Sequence, residues 1–410
     1  MARARAEALE FVNADLQRLN AQNDALVEQL QQQTEILERL SHEDPPLDVC
    51  LSLGANCVKG VNMKKRLGLV TAGASVLLVL AAQGTAQNQT LNLFNWSEYM
   101  DPQILRDFEK QFNAKVVVSL FESNEDLIAK LKSTGGSGYD VVVPGQYAVP
   151  LLGRQGLLLP LQKSKLPNLK NLSRKFINPN YDAQNKYSVA YQWGTVGVVY
   201  NKVKLPKIEE TWGIFFDPKK QQGPFIMMDS AREMMSAPLK YLGKSLNSTS
   251  KADINAALGL MVDAKSRSLG FDGGVGARNK VSAGQANYGV AYNGDVVKLQ
   301  AEDRKLGFFV PKEGGLIFVD NLAIPAKAPN AALAYKFINF ILNAKIGARL
   351  SNYNRYATPN EAAKPFIAPA DLKNPAIYPP ASVMAKLEFN LDLGINNNLY
   401  DSAWTKIKAR

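Results

Sequence analysis

The chain has 410 residues, of which 46% are hydrophobic, and it carries 48 Lys and Arg residues against 37 Asp and Glu residues. This composition excludes a disordered or fibrous protein, and the length predicts about two or three domains that each bury a core. The only histidine is His42 and the only cysteines are Cys50 and Cys57, so residues 58–410 cannot hold a Ser-His-Asp triad, a cysteine nucleophile, a His/Cys zinc site or a disulfide.

Residues 1–62 contain a heptad repeat, which predicts a coiled-coil-like helix of about four and a half heptads. The repeat positions follow a strict 3,4 spacing: Leu9, Val12, Leu16, Leu19, Asn23, Leu26, Leu30, Gln33, Leu37 and Leu40. One interpretation is a cytoplasmic dimerisation helix ahead of an uncleaved membrane anchor. We favour the other, in which translation starts at Met63 and the upstream stretch is a gene-model artefact or a fusion.

Residues 63–86 have the pattern of a secretory signal peptide. Basic residues follow Met63, a mostly apolar run spans 67–82, and small residues lead to Ala86, after which we expect cleavage. The apolar run is shorter than the roughly 20 residues that a spanning helix needs. No cysteine follows the run, so a lipid anchor is not supported. The prediction is export to a bacterial periplasm.

The part after the signal, 87–410, holds 40 basic and 27 acidic residues. These basic residues are spread along the chain without an arginine-rich run or a basic stripe with interleaved aromatics. We therefore interpret the excess as a solvated basic face and predict no nucleic-acid partner.

From residue 91 onward, strand patterns alternate with amphipathic helix patterns. Apolar strands are predicted at 91–95, 116–121 and 139–143, with helices beginning at Asp101 and Asp126. Such alternation predicts a parallel α/β sheet, in which ligands lie beyond the carboxyl ends of the strands. Aromatic and acidic residues collect at those ends, in segments 95–99, 122–125 and 144–147.

The rest of the chain continues the α/β pattern. A Gly-rich stretch at 194–200 could cross between two lobes, 231–269 is rich in helix, and 331–350 has the pattern of one amphipathic helix. Further strands are predicted at 187–191, 288–292 and 317–325.

Motifs for phosphate and dinucleotide binding are missing from the sequence. It has no Walker A motif, and no G-x-G-x-x-G follows the first strand. We interpret 273–276 as a flexible loop and the Ser248/Lys251 pair as a helix entry. Neither a cofactor nor a metal is predicted, although carboxylate-only hydrolysis stays formally open.

One set of aromatic and acidic residues suits an organic diamine, which has a hydrocarbon body and cationic ends. Ring faces would attract the ammonium groups and carboxylates would fix them. The residues are Trp96, Glu98, Tyr99, Tyr147, Glu233, Tyr292, Asp295, Phe318 and Asp320.

Four motifs make residues 91–410 resemble the periplasmic polyamine-binding proteins of bacterial ABC transporters. These are Phe94-Asn-Trp-Ser-Glu-Tyr99, Tyr139-Asp-Val-Val-Val-Pro144, Pro311-Lys-Glu-Gly-Gly315 and Ile377-Tyr-Pro-Pro380. The segment around Trp404 is most similar to the putrescine-binding branch.

This resemblance implies a two-lobed, type II-like periplasmic binding protein fold with a ligand cleft between the lobes. The first lobe would comprise 87–194 and 320–366, and the second 195–319 and 367–410.

The resemblance also implies a set of ligand-binding residues. One wall would come from Trp96, Ser97 and Tyr99, with Glu98 near an amine. The other family positions correspond to Gly145, Tyr147, Ser230, Glu233, Tyr292, Asp295, Phe318, Asp320 and Tyr356.

Three of these positions depart from the family pattern: Gly145 stands where Ser is frequent, Ser230 where spermidine-preferring members have Asp, and Tyr292 where Trp is usual. Asp295, in contrast, matches the acid that putrescine-binding members carry at this position.

The sequence therefore predicts a protein that captures a polyamine, with putrescine as the preferred ligand, and delivers it to the permease of an inner-membrane ABC transporter. No catalysed reaction is predicted. We expect a monomer once the signal is cleaved. The alternatives are a spermidine-preferring binder, a membrane-tethered polyamine sensor and a carboxylate-dependent hydrolase.

Overall fold

A computed structural model describes residues 89–409. Ten strands in this range belong to one sheet. They are β1 (Gln89–Trp96), β2 (Ala114–Phe121), β3 (Val141–Val142), β4 (Ser188–Asn201), β5 (Phe225–Met228), β6 (Phe271–Asp272), β7 (Tyr288–Tyr292), β8 (Leu306–Phe309), β9 (Gly315–Ala323) and β10 (Leu387–Phe389).

Thirteen α-helices lie between and after the strands of the described range. They are α1 (Pro102–Phe112), α2 (Asn124–Thr134), α3 (Ala148–Arg154), α4 (Gly213–Phe216), α5 (Ala231–Tyr241), α6 (Lys251–Arg267), α7 (Gly274–Ser282), α8 (Asn293–Gln300), α9 (Ala331–Ile341), α10 (Ala344–Asn354), α11 (Pro369–Leu372), α12 (Ala381–Met384) and α13 (Asn397–Ala409). The predicted coiled coil in 1–62 and the predicted signal in 63–86 lie outside the described residues.

The strand order along the sheet is β2-β1-β3-β9-β4-β7-β5-β6. The outer pairs β1/β2, β1/β3, β5/β7 and β5/β6 are parallel, whereas β3/β9, β4/β9 and β4/β7 are antiparallel. The expectation of a parallel sheet was therefore wrong for the centre, where β4 and β9 run antiparallel to each other and to their neighbours β7 and β3. The direction of these strands is set by pairing between segments far apart in the chain, which local strand-helix alternation does not determine.

These central strands, β4 and β9, join the two parallel groups into one sheet. They pair from Ser188 opposite Ala323 to Thr195 opposite Ile317, and the second half of β4 then pairs with β7. Because successive residues of a strand point to opposite faces, Phe318 and Asp320 of β9 line a different cavity from Ile317 and Val319.

Local sequence explains where several helices begin and end. Asp101 caps α1 by accepting a hydrogen bond from the backbone N–H of Gln103, and Pro102 occupies the first turn, where a missing N–H costs nothing. Ser123 caps α2 in the same way through Asp126. The predicted single helix at 331–350 is two helices, because Asn343 accepts hydrogen bonds from the N–H groups of Lys345 and Ile346 and so begins α10.

Aromatic contacts join α9 to α1 and α13 to β6. Phe108 of α1 packs against Phe337 of α9 with ring centroids 5.0 Å apart. Phe271 of β6 packs against Trp404 of α13 at 5.1 Å. The predicted lobe boundaries at residues 194, 319 and 366 stay predictions. Within residues 89–409, none of the helices combines the length and the apolar character needed to cross a membrane.

Candidate ligand-binding cleft

A cleft lies where strands of both parallel groups end against the central strands. About 400 Å³ within the cleft is free of protein atoms, a volume that includes space open to solvent. Its lining residues are Trp96, Ser97, Tyr99, Glu122, Glu233, Val275, Tyr292, Asp295, Phe318, Asp320 and Tyr356. The fold thus brings together side chains from β1, β7 and β9, from α5, α7 and α8, and from the segments that follow β1, β2 and α10.

Each of three buried acids in the cleft accepts a hydrogen bond from a tyrosine hydroxyl. Tyr99 donates to Asp320 at 2.9 Å, Tyr356 donates to Asp295 at 2.8 Å, and Tyr292 donates to Glu233. Burial raises the pKa of the three tyrosines well above its usual value, so the hydroxyls stay protonated and remain donors. These pairs fix the carboxylates while leaving further lone pairs for a ligand.

Burial also raises the pKa of each acid, because a charged carboxylate is costly away from water. The pKa of Glu233 rises to about 7 and that of Asp295 to about 6. For Asp320, burial is reinforced by repulsion from Glu233 and Asp295, and the pKa lies well above its usual value. Among residues 89–409, none of the three carboxylates forms a salt bridge with a Lys or Arg side chain.

Aromatic rings surround these acids in edge-on contacts. Tyr292 lies 6.3 Å from Trp96 and 5.4 Å from Phe318, and Tyr356 lies 6.0 Å from Phe318 and 4.9 Å from Tyr99, measured between ring centroids. Trp96 is held by a hydrogen bond from its indole N–H to the carbonyl of Val143. The cleft therefore combines apolar walls with anionic points, as a site for an organic cation requires.

Two glycines let the backbone approach these rings. A Cβ on Gly194 would lie 2.4 Å from Asn293 Oδ1 and 2.8 Å from the Phe318 ring. A Cβ on Gly294 would lie 2.5 Å from the Tyr356 ring.

We expect Gly194→Ala to lower the free energy of unfolding by about 1–3 kcal/mol, the usual cost of overpacking a well-packed site. Gly259→Ala is the matched control, since its Cβ would meet nothing within 4 Å and lies inside α6, where alanine is favoured by about 0.5–1 kcal/mol. Urea unfolding of both variants measures the difference. Equal stability of the two variants would contradict the packing described here.

Four of the residues implied by the family resemblance do not line the cleft. Ser230 precedes α5, and Gly145 donates its backbone N–H to Asn124. Tyr147 donates its hydroxyl to Glu125. These residues lie behind or beside the lining side chains.

Glu98, the fourth, forms ion pairs with Arg278 at 3.4 Å and with Lys298 at 3.2 Å. Partial burial raises the pKa of Glu98, but the two cations outweigh that effect and hold the pKa below its usual value.

Sequence reasoning missed two lining residues, Glu122 and Val275. Glu122 follows β2 and accepts a hydrogen bond from Ser97 Oγ. Its place in the acidic segment at a strand end was a signal for it. Val275 lies in the glycine-rich segment that was interpreted as a flexible loop, but that segment begins α7. The described residues contain no cluster of His, Cys, Asp and Glu that could hold a metal ion.

Comparison with known families assigns the chain to a family of binding proteins. The model of the family described as "Bacterial extracellular solute-binding protein" matches residues 103–380. The chain belongs to this family. The predicted two-lobed binding-protein fold is thereby confirmed.

Individual members of the family match nearly end to end. A spermidine/putrescine-binding periplasmic protein of Salmonella typhimurium is 33% identical over 348 residues, covering 85% of this chain and 99% of the relative. A putrescine/cadaverine-binding protein of Pseudomonas aeruginosa is 35% identical over 361 residues, covering 85% and 100%. The solved structure of the spermidine/putrescine ABC transporter substrate-binding protein PotD from Streptococcus pneumoniae has a TM-score of 0.66 at 28% identity, covering 78% of this chain and 99% of that protein.

Proposed function

We propose that this solute-binding protein captures a linear polyamine, putrescine in preference to spermidine, in the periplasm and delivers it to the permease of an ABC transporter. The observation that carries the proposal is the set of three buried acids, Glu233, Asp295 and Asp320. Each accepts a hydrogen bond from a tyrosine, and none forms a salt bridge with a Lys or Arg side chain of residues 89–409. Buried carboxylates without a counter-ion are costly. A ligand with several ammonium groups would supply the missing positive charge.

The aromatic walls support the same ligand class. A polyamine has methylene segments that need apolar contact, and ammonium groups that are attracted to ring faces by about 0.5–2 kcal/mol each. Trp96, Tyr292, Phe318 and Tyr356 line the same cleft as the acids. The relatives named for putrescine, cadaverine and spermidine binding support this assignment.

Isothermal titration of the purified protein with putrescine, cadaverine, spermidine and spermine tests the proposal, after bound amine has been removed by unfolding and refolding. We expect saturable binding of putrescine. 4-Aminobutyrate is the matched control ligand, because it replaces one ammonium group by a carboxylate that the acids would repel. Absence of binding for all four amines would contradict the proposal.

The same material distinguishes a binding protein from a carboxylate-dependent hydrolase. We expect putrescine to return unchanged after long incubation, as mass spectrometry of the ligand would show. Accumulation of a product with time and protein concentration would favour the enzyme.

The preference for putrescine gives a prediction at Ser230. This residue occupies the N-cap position of α5 without a side-chain cap hydrogen bond, one turn before Glu233. Aspartate there would add a carboxylate next to an existing one, in a residue type that the N-cap position favours. A third ammonium group must be compensated once it is desolvated. We expect Ser230→Asp to shift the ratio of spermidine to putrescine affinity toward spermidine by about tenfold, or about 1.4 kcal/mol.

Titration of both ligands into Ser230→Asp measures this ratio. Ser230→Asn serves as the control, because it has nearly the same shape without the charge. An equal shift in both variants, or none in either, would mean that a charge at this position does not set the preference.

A further inference from the structure

Glu98 lies beside the Asp295 end of the cleft, but its carboxylate is occupied by the protein itself. Arg278 Nη2 approaches Glu98 Oε1 at 3.4 Å, and Lys298 Nζ approaches Glu98 Oε2 at 3.2 Å. One carboxylate therefore faces two cations from two different helices, α7 and α8. The cluster of Glu98, Arg278 and Lys298 therefore carries a net positive charge.

The cluster is tied directly to the Asp295 position. Arg278 Nη1 donates to the backbone carbonyl of Asp295 at 3.0 Å. Lys298 lies three residues after Asp295 on α8, and residues three apart on a helix are neighbours. The Arg278 side chain is only 4% exposed, so this cation is fixed next to the cleft and is poorly screened by water.

Such a cluster discriminates between polyamines by their number of charges. A diamine can place its two ammonium groups among Glu233, Asp295 and Asp320. A triamine that extends past Asp295 would bring its third ammonium group toward Arg278 and Lys298, while the nearby acid, Glu98, is already paired. Like charges brought together in a partly buried site repel strongly.

We propose that Arg278 and Lys298, held in place by Glu98, are specificity-determining residues that exclude triamines at the Asp295 end of the cleft. This inference rests on the proposed polyamine-binding function. It assigns Glu98 the role of positioning these cations instead of the role of an amine ligand. Glu98 is held there with a backbone φ of 53°, a left-handed conformation that non-glycine residues seldom adopt.

The test compares spermidine and putrescine affinities by isothermal titration in Lys298→Met and in Arg278→Met/Lys298→Met. Lys298→Met removes one of the two cations that pair with Glu98, and the double variant removes both. The Glu98 carboxylate can then accept an ammonium group of the ligand. We expect the affinity ratio to move toward spermidine by about tenfold or more in the double variant and by a smaller factor in Lys298→Met. Lys305→Met is the matched control, since Lys305 pairs with Asp303, whereas Lys298 pairs with Glu98, and its ratio should equal that of the wild type.

Adding Glu98→Gln to the double variant should cancel most of the gain in spermidine affinity, because the freed carboxylate supplies it. If the double variant does not fold, Lys298→Met alone still tests the inference, because Lys298 is only half-buried and its replacement should leave folding intact. An unchanged ratio in a variant that still binds putrescine would overturn the inference and leave the proposed function intact. Wild type that binds spermidine tenfold more tightly than putrescine would also overturn it, whereas wild type that binds no polyamine would refute the proposed function.

Discussion

Replacing Asp320 with asparagine is expected to weaken putrescine binding by about 1.5–3 kcal/mol, or about 10- to 150-fold. Asp320 is buried, accepts a hydrogen bond from Tyr99 and is coupled electrostatically to both Glu233 and Asp295. Asparagine keeps the shape and can still accept the Tyr99 hydrogen bond. It cannot supply the negative charge that a buried ammonium group requires.

Folding should survive this substitution. The unliganded protein loses a carboxylate that burial disfavours, so the thermal midpoint without ligand should fall little or rise. Isothermal titration measures the binding change, and Asp295→Asn should behave in the same way for the same reason. Asp263→Asn is the matched control, because Asp263 is exposed and pairs with Arg267 within α6, away from the cleft lining. Unchanged putrescine binding in both cleft variants would refute the proposed acidic site.

Lowering the pH from 8 to 5 is expected to weaken putrescine binding by about 100-fold or more. The direction of this change follows from the raised pKa values of two acids. Glu233, with a pKa of about 7, and Asp295, with a pKa of about 6, are protonated in the unliganded protein at pH 5. A bound dication favours their charged forms, so the complex must release those protons. Two pH units for one such group correspond to about 2.7 kcal/mol.

Titrations at pH 5, 6, 7 and 8 in buffers of different ionisation enthalpy measure both the affinity and the number of protons released. For the unliganded protein, the raised pKa values of these two acids contribute stability that is fully present below about pH 4, the ordinary pKa range of carboxylates, and is lost progressively as the pH rises through the folded values of about 6 and about 7. The increase in thermal midpoint caused by putrescine should therefore be larger at pH 8 than at pH 5. Glu233→Gln should flatten this dependence, and a pH-independent affinity in the wild type would contradict the assigned protonation states.

Four of the residues that were expected in the site, and that line the cleft, lie at strand ends or on a single long strand. Trp96 and Tyr292 end β1 and β7, and Phe318 and Asp320 alternate with core residues of β9. Periodicity and the α/β rule are sufficient for such positions, because they depend on local chain direction. Their convergence around one cavity came from the family resemblance and could not be read from spacing.

The features that sequence reasoning missed depend on contacts between distant segments. Glu98 was expected near an amine, but its partners Arg278 and Lys298 are 180 and 200 residues away along the chain. No local pattern indicates which of several acids a basic side chain will reach. The mixed sheet was missed for a related reason, because the direction in which β4 and β9 cross is set by tertiary pairing.

The pairing of β4 with β9 has a consequence for biogenesis. Gln192 lies opposite Asp320, so the centre of the sheet cannot close until the last third of the chain is available. Pairing of positions so far apart in sequence slows folding, because the entropy of loop closure must be overcome before the contacts form. A chain that folds slowly stays unfolded for longer, and an unfolded chain can pass through a narrow channel. The topology that shapes the cleft is therefore expected to lengthen the interval before the chain reaches its native fold, and the predicted export across a membrane would take place in that interval.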